Sequence, residues 1–335
     1  MKSLGQQRSP KRWALVGTGN IVRRVLAEIG NHPAFDFRTV VSSDRQRALD
    51  FAAEFRIPSA CHGLEELFAR DDIDAAYIAT IHPLHVPQAI ACLNAGIPVL
   101  AEKPLAVRPS GVVEVIKAVE RTGVFAMEAM KTIFLPAMRR GIQWAEEGRL
   151  GDIREVRASF CFRSDAGPEG RLFNPDSAGG AVLDVGYYGI EAARWFLGTE
   201  WEKIFAIGSV RKTGVEEQAL ISLTYPQGRI ASTHCAMTFN APVTLDVLGT
   251  HARLHFDQFN QAAAVDLFAD GIHAEHHKGA SGVFLHEFME VHRCLDEGLI
   301  QSPVMPLSAS HATSLALDGA LRLIHGDRPP AYLQC

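Results

Sequence analysis

The 335-residue sequence predicts an α/β protein. Its first part reads as a doubly wound parallel sheet, and its second as an α/β unit with a large open, mostly antiparallel sheet. Three observations carry this. Strands and helices alternate every 25 residues or so up to residue 130, the pattern of a parallel sheet covered on both faces. The first strand-helix junction holds a glycine turn, Gly17-Thr18-Gly19. Beyond residue 130 the helical period gives way to long runs of alternating polar and apolar residues.

The elements follow in order. "RWALVGTGNIVRRVLAEIG" is a short apolar strand, a turn and a helix, with Val22, Val25, Leu26 and Ile29 on one side and Arg23, Arg24 and Glu28 on the other. "FRTVVSS" is a second strand, and "DRQRALDFAAEF" a helix capped by Ser43 or Asp44. "LEELFAR" is a short helix and "DAAYIAT" a third strand. "VPQAIACLNAG" is a helix ended by Gly96, and "PVLAEK" a fourth strand. "PSGVVEVIKAVERTG" is a helix closed by Gly123, and "VFAMEAM" a fifth strand. Then come the helix "LPAMRRGIQWAEEG", seven alternating strands between "IREVRASFCFR" and "AAVDLFAD", and two closing helices, "FLHEFMEVHRCLDEG" and "SASHATSLALDGALRLIHG". The change of pattern divides the chain into units 1–126 and 127–335.

Composition narrows the function classes. Apolar residues make up 47% and charged residues 21%, the balance of a globular protein with two cores. A net charge of -5 offers no basic face to nucleic acid or anionic lipid. Six cysteines without a CxxC pair fit a reducing cytoplasm, and no metal-ligand spacing stands out. The polar start "MKSLGQQRSPKR" does not read as a signal peptide. Ala75 to Ala101 contains no charge, but Pro83, Pro87, Asn94, Gly96 and Pro98 interrupt it. It reads as strand, helix and strand, not as a membrane span.

Three stretches carry chemistry. Gly17-Thr18-Gly19, followed by Asn20 and Ile21, stands where a dinucleotide pyrophosphate approaches a helix N-terminus. Val22 replaces the third fingerprint glycine, so the motif is incomplete. Glu102-Lys103-Pro104 ends the fourth strand, and Thr80, His82 and His85 follow the third, all at the sheet edge where ligands bind. Pro83 and the lack of a nearby carboxylate argue against His82 and His85 as a metal pair. In "AGGAVLDVGYYGIEAARWFLG", Asp184 and Tyr188 are four apart and share a face if the helix begins by Asp184. Alone, that stretch reads as a dipole-favoured carboxylate and a half-buried tyrosine.

Together, Gly17-x-Gly19, "EKP" and "GGAVLDVGYYGIEAARWFLG" resemble the Gfo/Idh/MocA oxidoreductase family over nearly the whole length. "VLAEKPLAV", "MEAMKTIFLPA" and "CLDEGLIQSPVMPL" are most similar to its dimeric dihydrodiol dehydrogenase branch. The resemblance implies an N-terminal Rossmann domain that binds NAD or NADP. It also implies a C-terminal α/β domain whose open sheet makes a subunit interface, and Lys103, Asp184 and Tyr188 as active-site residues. On that basis Glu102 and Lys103 join Thr80, His82 and His85 at the cofactor cleft. Lys103 is expected to point at the substrate hydroxyl and the nicotinamide ribose. Tyr188 is then the base on the substrate hydroxyl, with Lys103 lowering its pKa from about 10 and Asp184 holding Lys103 or the substrate. Tyr187 faces about 100° away.

The second strand ends "VVSSDRQR". Ser42 and Ser43 with Arg45 and Arg47 just beyond suit a 2′-phosphate and favour NADP, while Asp44 keeps NAD open. The expected activity is hydride transfer between nicotinamide and a secondary hydroxyl of a sugar, cyclic polyol or ring diol. The alternatives are a catalytically silent cofactor-binding sensor and a trans-dihydrodiol dehydrogenase. Where the dihydrodiol branch typically carries a W-T-R-F run, this chain has Lys131 and Ile133. An ammonium suits hydroxyls or a carboxylate better than a flat apolar ring, so a sugar or sugar acid is expected, with Arg171 as a second donor. The broad sheet has few helices to cover both faces, which predicts a homodimer or homotetramer.

Overall fold

The computed structural model describes residues 9–333. The segment "MKSLGQQR", part of the stretch read above as no signal peptide, and Cys335 lie outside them.

Six parallel strands form the first sheet: β1 (Lys11–Val16), β2 (Phe35–Ser42), β3 (Ser59–His62), β4 (Ala75–Ile78), β5 (Val99–Glu102) and β6 (Ala126–Ala129), in the order β3-β2-β1-β4-β5-β6. The sequence pattern indicates five. The sixth is β3, whose four residues "SACH" are too short and too polar to announce a strand, and it forms by pairing with Thr39 to Ser42 of β2. Helices α1 (Asn20–Ile29), α2 (Arg45–Phe55), α3 (Leu64–Phe68), α4 (His85–Asn94) and α5 (Pro109–Thr122) connect them. The apolar stripe of α1 is buried at Val22, Val25, Leu26 and Ile29. Asp44 is the cap of α2: its carboxylate accepts the backbone N–H of Arg47 at 2.8 Å. The uncharged run from Ala75 to Ala101 is β4, α4 and β5. Among the described residues no helix is long and apolar enough to cross a membrane.

The second sheet has eight strands: β7 (Ile153–Cys161), β8 (Lys203–Val210), β9 (Glu216–Tyr225), β10 (Arg229–Ala236), β11 (Thr244–Gly249), β12 (Ala252–Asp257), β13 (Ala264–Ala269) and β14 (Ile272–Lys278). Their order is β14-β13-β12-β11-β7-β10-β9-β8, antiparallel except where β7 meets β10. Helices α6 (Pro136–Glu146) and α7 (Tyr187–Leu197) pack on one face. The approach of α7 is close enough that a Cβ at Gly189 would stand 2.5 Å from Thr233. The other face bears exposed Phe205, Ile207, Leu220 and Ile230.

The last two helices, α8 (Leu285–Asp296) and α9 (Leu307–His325), tie the sheets together. Phe288 of α8 packs against Trp13 and Tyr77 of the first sheet, and the Trp13 indole donates to His292 Nε2 at 3.0 Å. Glu28 of α1 accepts the backbone N–H groups of Val283, Phe284 and Leu285. A carboxylate there satisfies donors that the first turn of α8 leaves open. The first sheet thus runs on to Ala129, past residue 126, and part of its cover comes from the far end of the chain.

Candidate active site

The parallel sheet reverses its winding between β1 and β4, and the crevice beyond their carboxyl ends is where such sheets bind ligands. Gly17 follows β1 with φ +118°, and a Cβ there would lie 2.6 Å from the Ala79 carbonyl after β4. Only glycine permits so close a crossing. Gly19 caps α1, so the first turn of that helix faces the crevice. A cavity of about 1090 Å³ opens there, lined at one end by Gly17 to Ile21 with Ser42, Ser43 and Arg47. Arg47 donates to Ser42 Oγ at 3.0 Å and to Ser43 Oγ at 3.2 Å. Arg45 does not join them: it is drawn off to Glu66 on α3 and lies outside the cavity lining. Asp44 is occupied as a helix cap. A glycine cradle at a helix N-terminus, with two hydroxyls and a guanidinium at the end of β2, fits a dinucleotide.

The other end of the cavity holds Lys103, Asp184, Arg171 and His82. Lys103 follows β5, and its peptide to Pro104 is cis. Its Nζ donates to the backbone carbonyl of Asp184 at 2.5 Å and lies 3.7 Å from the Asp184 carboxylate. The backbone of Asp184 therefore orients the lysine, and the carboxylate accepts from Arg171 at 3.1 Å. Burial alone would raise the Asp184 carboxyl; Lys103 and Arg171 outweigh it and bring it down to about 2. His82 donates from Nδ1 to the Ala178 carbonyl at 2.9 Å, which leaves Nε2 as an acceptor 3.4 Å from Arg171. His85 faces the carbonyls of Pro104 and Thr80 at 2.8 and 3.2 Å. Burial lowers both imidazoles, opposed at His85 by the two carbonyls it faces. Both histidines line the cleft and support its loops. Glu102 accepts the Tyr77 hydroxyl at 2.5 Å.

Residues 182–186 form a single wide π-turn that leads into α7. Such turns recur at functional sites because they re-aim a side chain within a helix. The turn begins with the Val182 N–H on buried Glu216, which His325 of α9 contacts at 3.2 Å. Asp184 and Tyr188 emerge on the cavity, whereas Tyr187 points into the core.

Two lysines flank Tyr188. Lys131 donates to its hydroxyl at 2.9 Å, and the Nζ atoms of Lys103 and Lys131 lie 5.0 and 4.7 Å from its ring centroid. The Tyr188 hydroxyl nevertheless shifts upward, to about 12, because burial outweighs the pull of Lys103. The expectation that Lys103 would lower it holds for the sign of that one interaction and not for the sum. Lys131 lies within the site and does not reach solvent, being 6% exposed. Burial lowers its pKa. It likewise raises that of Glu287, whose carboxyl oxygens meet no hydrogen-bond donor among the described residues.

Pattern reading overlooked Phe160, Asn260 and Arg24, which also line the cavity, and buried Glu287 in the field of Lys131. Phe160 and Asn260 reach the site from strands and loops far along the chain, and no local spacing marks them. Glu287 has a faint signal, an acid on the apolar side of "FLHEFMEV".

Comparison with known proteins agrees with this geometry. Residues 11–130 match the profile described as an oxidoreductase family with an NAD-binding Rossmann fold, and residues 138–255 match the GFO/IDH/MocA C-terminal domain. A trans-1,2-dihydrobenzene-1,2-diol dehydrogenase from Mus musculus is 34% identical over 325 residues, covering 93% of this chain and 96% of that protein. The Homo sapiens protein of that name is 32% identical over 327 residues, with 93% and 96% covered. A 3-ketoreductase from Actinomadura kijaniata, solved with NADP and TDP-benzene, superposes with TM-score 0.83 at 26% identity, covering 93% of this chain and 97% of that one. An aldose-aldose oxidoreductase from Caulobacter crescentus, complexed with glycerol, shares the fold with TM-score 0.85 at 21% identity, covering 95% and 98%. With a nucleotide cradle at one end of its cavity and a lysine-flanked tyrosine at the other, the chain belongs to the Gfo/Idh/MocA family of NAD(P)-dependent oxidoreductases.

Proposed function

We propose that this oxidoreductase interconverts a secondary hydroxyl and a ketone on a polyhydroxylated or anionic ring, such as a sugar or sugar acid, with NADP as the preferred cofactor. The observation that carries the reading is Tyr188, hydrogen-bonded by Lys131 and overlooked by Lys103, in the cavity that continues to the glycine cradle. The bound nicotinamide supplies the hydride acceptor or donor. Tyr188 exchanges the proton of the substrate oxygen. Held protonated by burial, it is ready to give that proton to a carbonyl oxygen; the two lysines favour the phenolate that remains. In the opposite direction the phenolate takes the hydroxyl proton. Lys103, oriented by the Asp184 carbonyl, stabilises charge on the substrate oxygen. Lys131 and Arg171 give the site a cationic wall that an aromatic diol ring would not use.

NADP is favoured over NAD by Arg47, Ser42 and Ser43 at the end of β2, and by the absorption of Asp44 in capping α2. A catalytically silent sensor would have no need of Lys103, Lys131 and Tyr188 in contact. A second reading, a trans-dihydrodiol dehydrogenase, rests on the 34% identity to the mouse protein and on Phe160 in the wall. The uncovered sheet face, with Ile207 71% and Phe205 57% exposed, supports a homodimer or homotetramer formed there. Five described cysteines, all unpaired and buried, suit the cytoplasm.

The test is kcat/KM for sugars and sugar acids against trans-dihydrodiols with NADP and NAD, in wild type and Lys131→Trp. Preference for the sugar in wild type, moving towards the dihydrodiol in the variant, is expected. A wild type that prefers the dihydrodiol establishes the second reading, and no turnover of any panel member establishes the sensor.

A further inference from the structure

Side chains three apart on a strand point to opposite faces of a sheet, so His273 and His276 of β14 ought not to meet. They do, because the register between β13 and β14 breaks: Leu267 pairs with Glu275, but Phe268 pairs with His273. Ala274 is the extra residue, a β-bulge that turns His273 onto the face of His276. Asp266, directly opposite His276, lies on that face too. His273 Nε2 stands 2.7 Å and His276 Nδ1 2.8 Å from the same oxygen, Asp266 Oδ1, and the three ligand atoms all fall within 4.8 Å of one another.

We propose that Asp266, His273 and His276 form a surface site for a divalent transition-metal ion, zinc or a neighbour such as nickel or copper. Two imidazoles and a carboxylate are the donors these ions prefer. Ligands at about 2.0–2.1 Å from zinc stand roughly 3.3 Å apart in a tetrahedron. The two histidine–carboxylate separations need widen by about half an ångström, and the two ring nitrogens, within 4.8 Å of each other, settle to the same spacing by rotations open to exposed histidines. The metal takes the place of the two N–H hydrogens, which move to the other ring nitrogen of each histidine. A fourth position opens to solvent. The neighbouring pair on this face, His255 and Asp246, differs in two respects: it has one histidine, and Arg253 also occupies Asp246 Oδ1, at 2.9 Å, where a guanidinium excludes a cation. The site lies on the same face as the apolar patch on β8 to β10 but at the far, β14 end of the sheet, outside that apolar patch and away from the cofactor cavity. Bound there, the ion would clamp an edge hairpin.

Calorimetric titration of the full chain with zinc chloride tests this, beside His273→Ala and His276→Ala. Wild type is expected to take up one zinc per chain with a micromolar Kd. Each variant should bind at least tenfold more weakly, with circular dichroism and NADP-linked turnover unchanged. Both variants keep every cysteine, so zinc uptake equal to wild type in either overturns the site, as does no uptake by wild type at millimolar zinc.

Discussion

Lys131 Nζ lies 2.9 Å from the hydroxyl oxygen of Tyr188, and the two side chains come from elements far apart in the chain, one after β6 and one on α7. The hydrogen bond joins a buried cation to the proton-transfer group itself. Lys131→Met keeps the length of the side chain and removes the donor. General acid-base help is worth roughly 10²–10⁴-fold, so losing one of its two supporting cations should lower kcat about tenfold or more. Removing a nearby positive charge also raises the tyrosine pKa, so the alkaline limb of the kcat profile should move up. An unchanged kcat and an unchanged limb would show that Lys131 does not act through Tyr188.

Lys103 and Tyr188 meet as the sequence pairing anticipates. Lys103→Met and Tyr188→Phe are each expected to lower kcat at least about a hundredfold, with cofactor affinity retained, since neither forms the glycine cradle. Stopped-flow turnover and cofactor titration check the two halves of this statement. Near-normal turnover in either variant removes that residue from the reaction.

The two arginines after β2 should behave differently. Arg47 lines the cavity beside Ser42 and Ser43, whereas Arg45 pairs with Glu66. Arg47→Ala is expected to raise KM for NADP at least about tenfold, by loss of a charge-assisted contact worth about 1.5–3 kcal/mol, and to leave KM for NAD nearly unchanged. Arg45→Ala should alter neither. A tenfold preference of wild type for NAD would refute the NADP assignment.

His292 predicts a pH dependence of stability. Burial holds it down to about 4, and its neutral Nε2 accepts the Trp13 indole hydrogen. In the unfolded chain it titrates near 6.5. As pH falls, the unfolded state therefore binds the proton first, and stability present above pH 6.5 is lost towards pH 4. Allowing for partial solvent screening, the loss from this one group is roughly 2 kcal/mol. Denaturant unfolding at both ends of that window should give a smaller difference for His292→Gln than for wild type. Equal differences would assign the dependence to other groups.

Leu220 and Ile207 face each other across β9 and β8 on the uncovered side of the second sheet. If that face is the subunit interface, Leu220→Glu should convert a dimer or tetramer to monomer in light scattering, without altering the helix content. A wild type that is monomeric at micromolar concentration contradicts the assembly.

The alternation of strands and helices, the glycine turn and the period of α1 follow from local chemistry. Chain connectivity alone made the parallel sheet, the cradle at Gly17 and the amphipathic faces legible. The same holds for Lys103 at a strand end and Tyr188 with Asp184 near a helix start, because neighbours in sequence set those positions. Tertiary structure decided what short spacing cannot carry. β3 exists because β2 offers it an edge, and Arg45 leaves the site because Glu66 competes for it. Tyr188 is pushed up and not down because desolvation depends on everything packed around it, and acidic groups brought from other segments, Glu102, Asp184 and Glu287, add to it. Local pattern specifies what a segment can become; which charges end up buried together is fixed only when segments far apart in the chain exclude water from the same place.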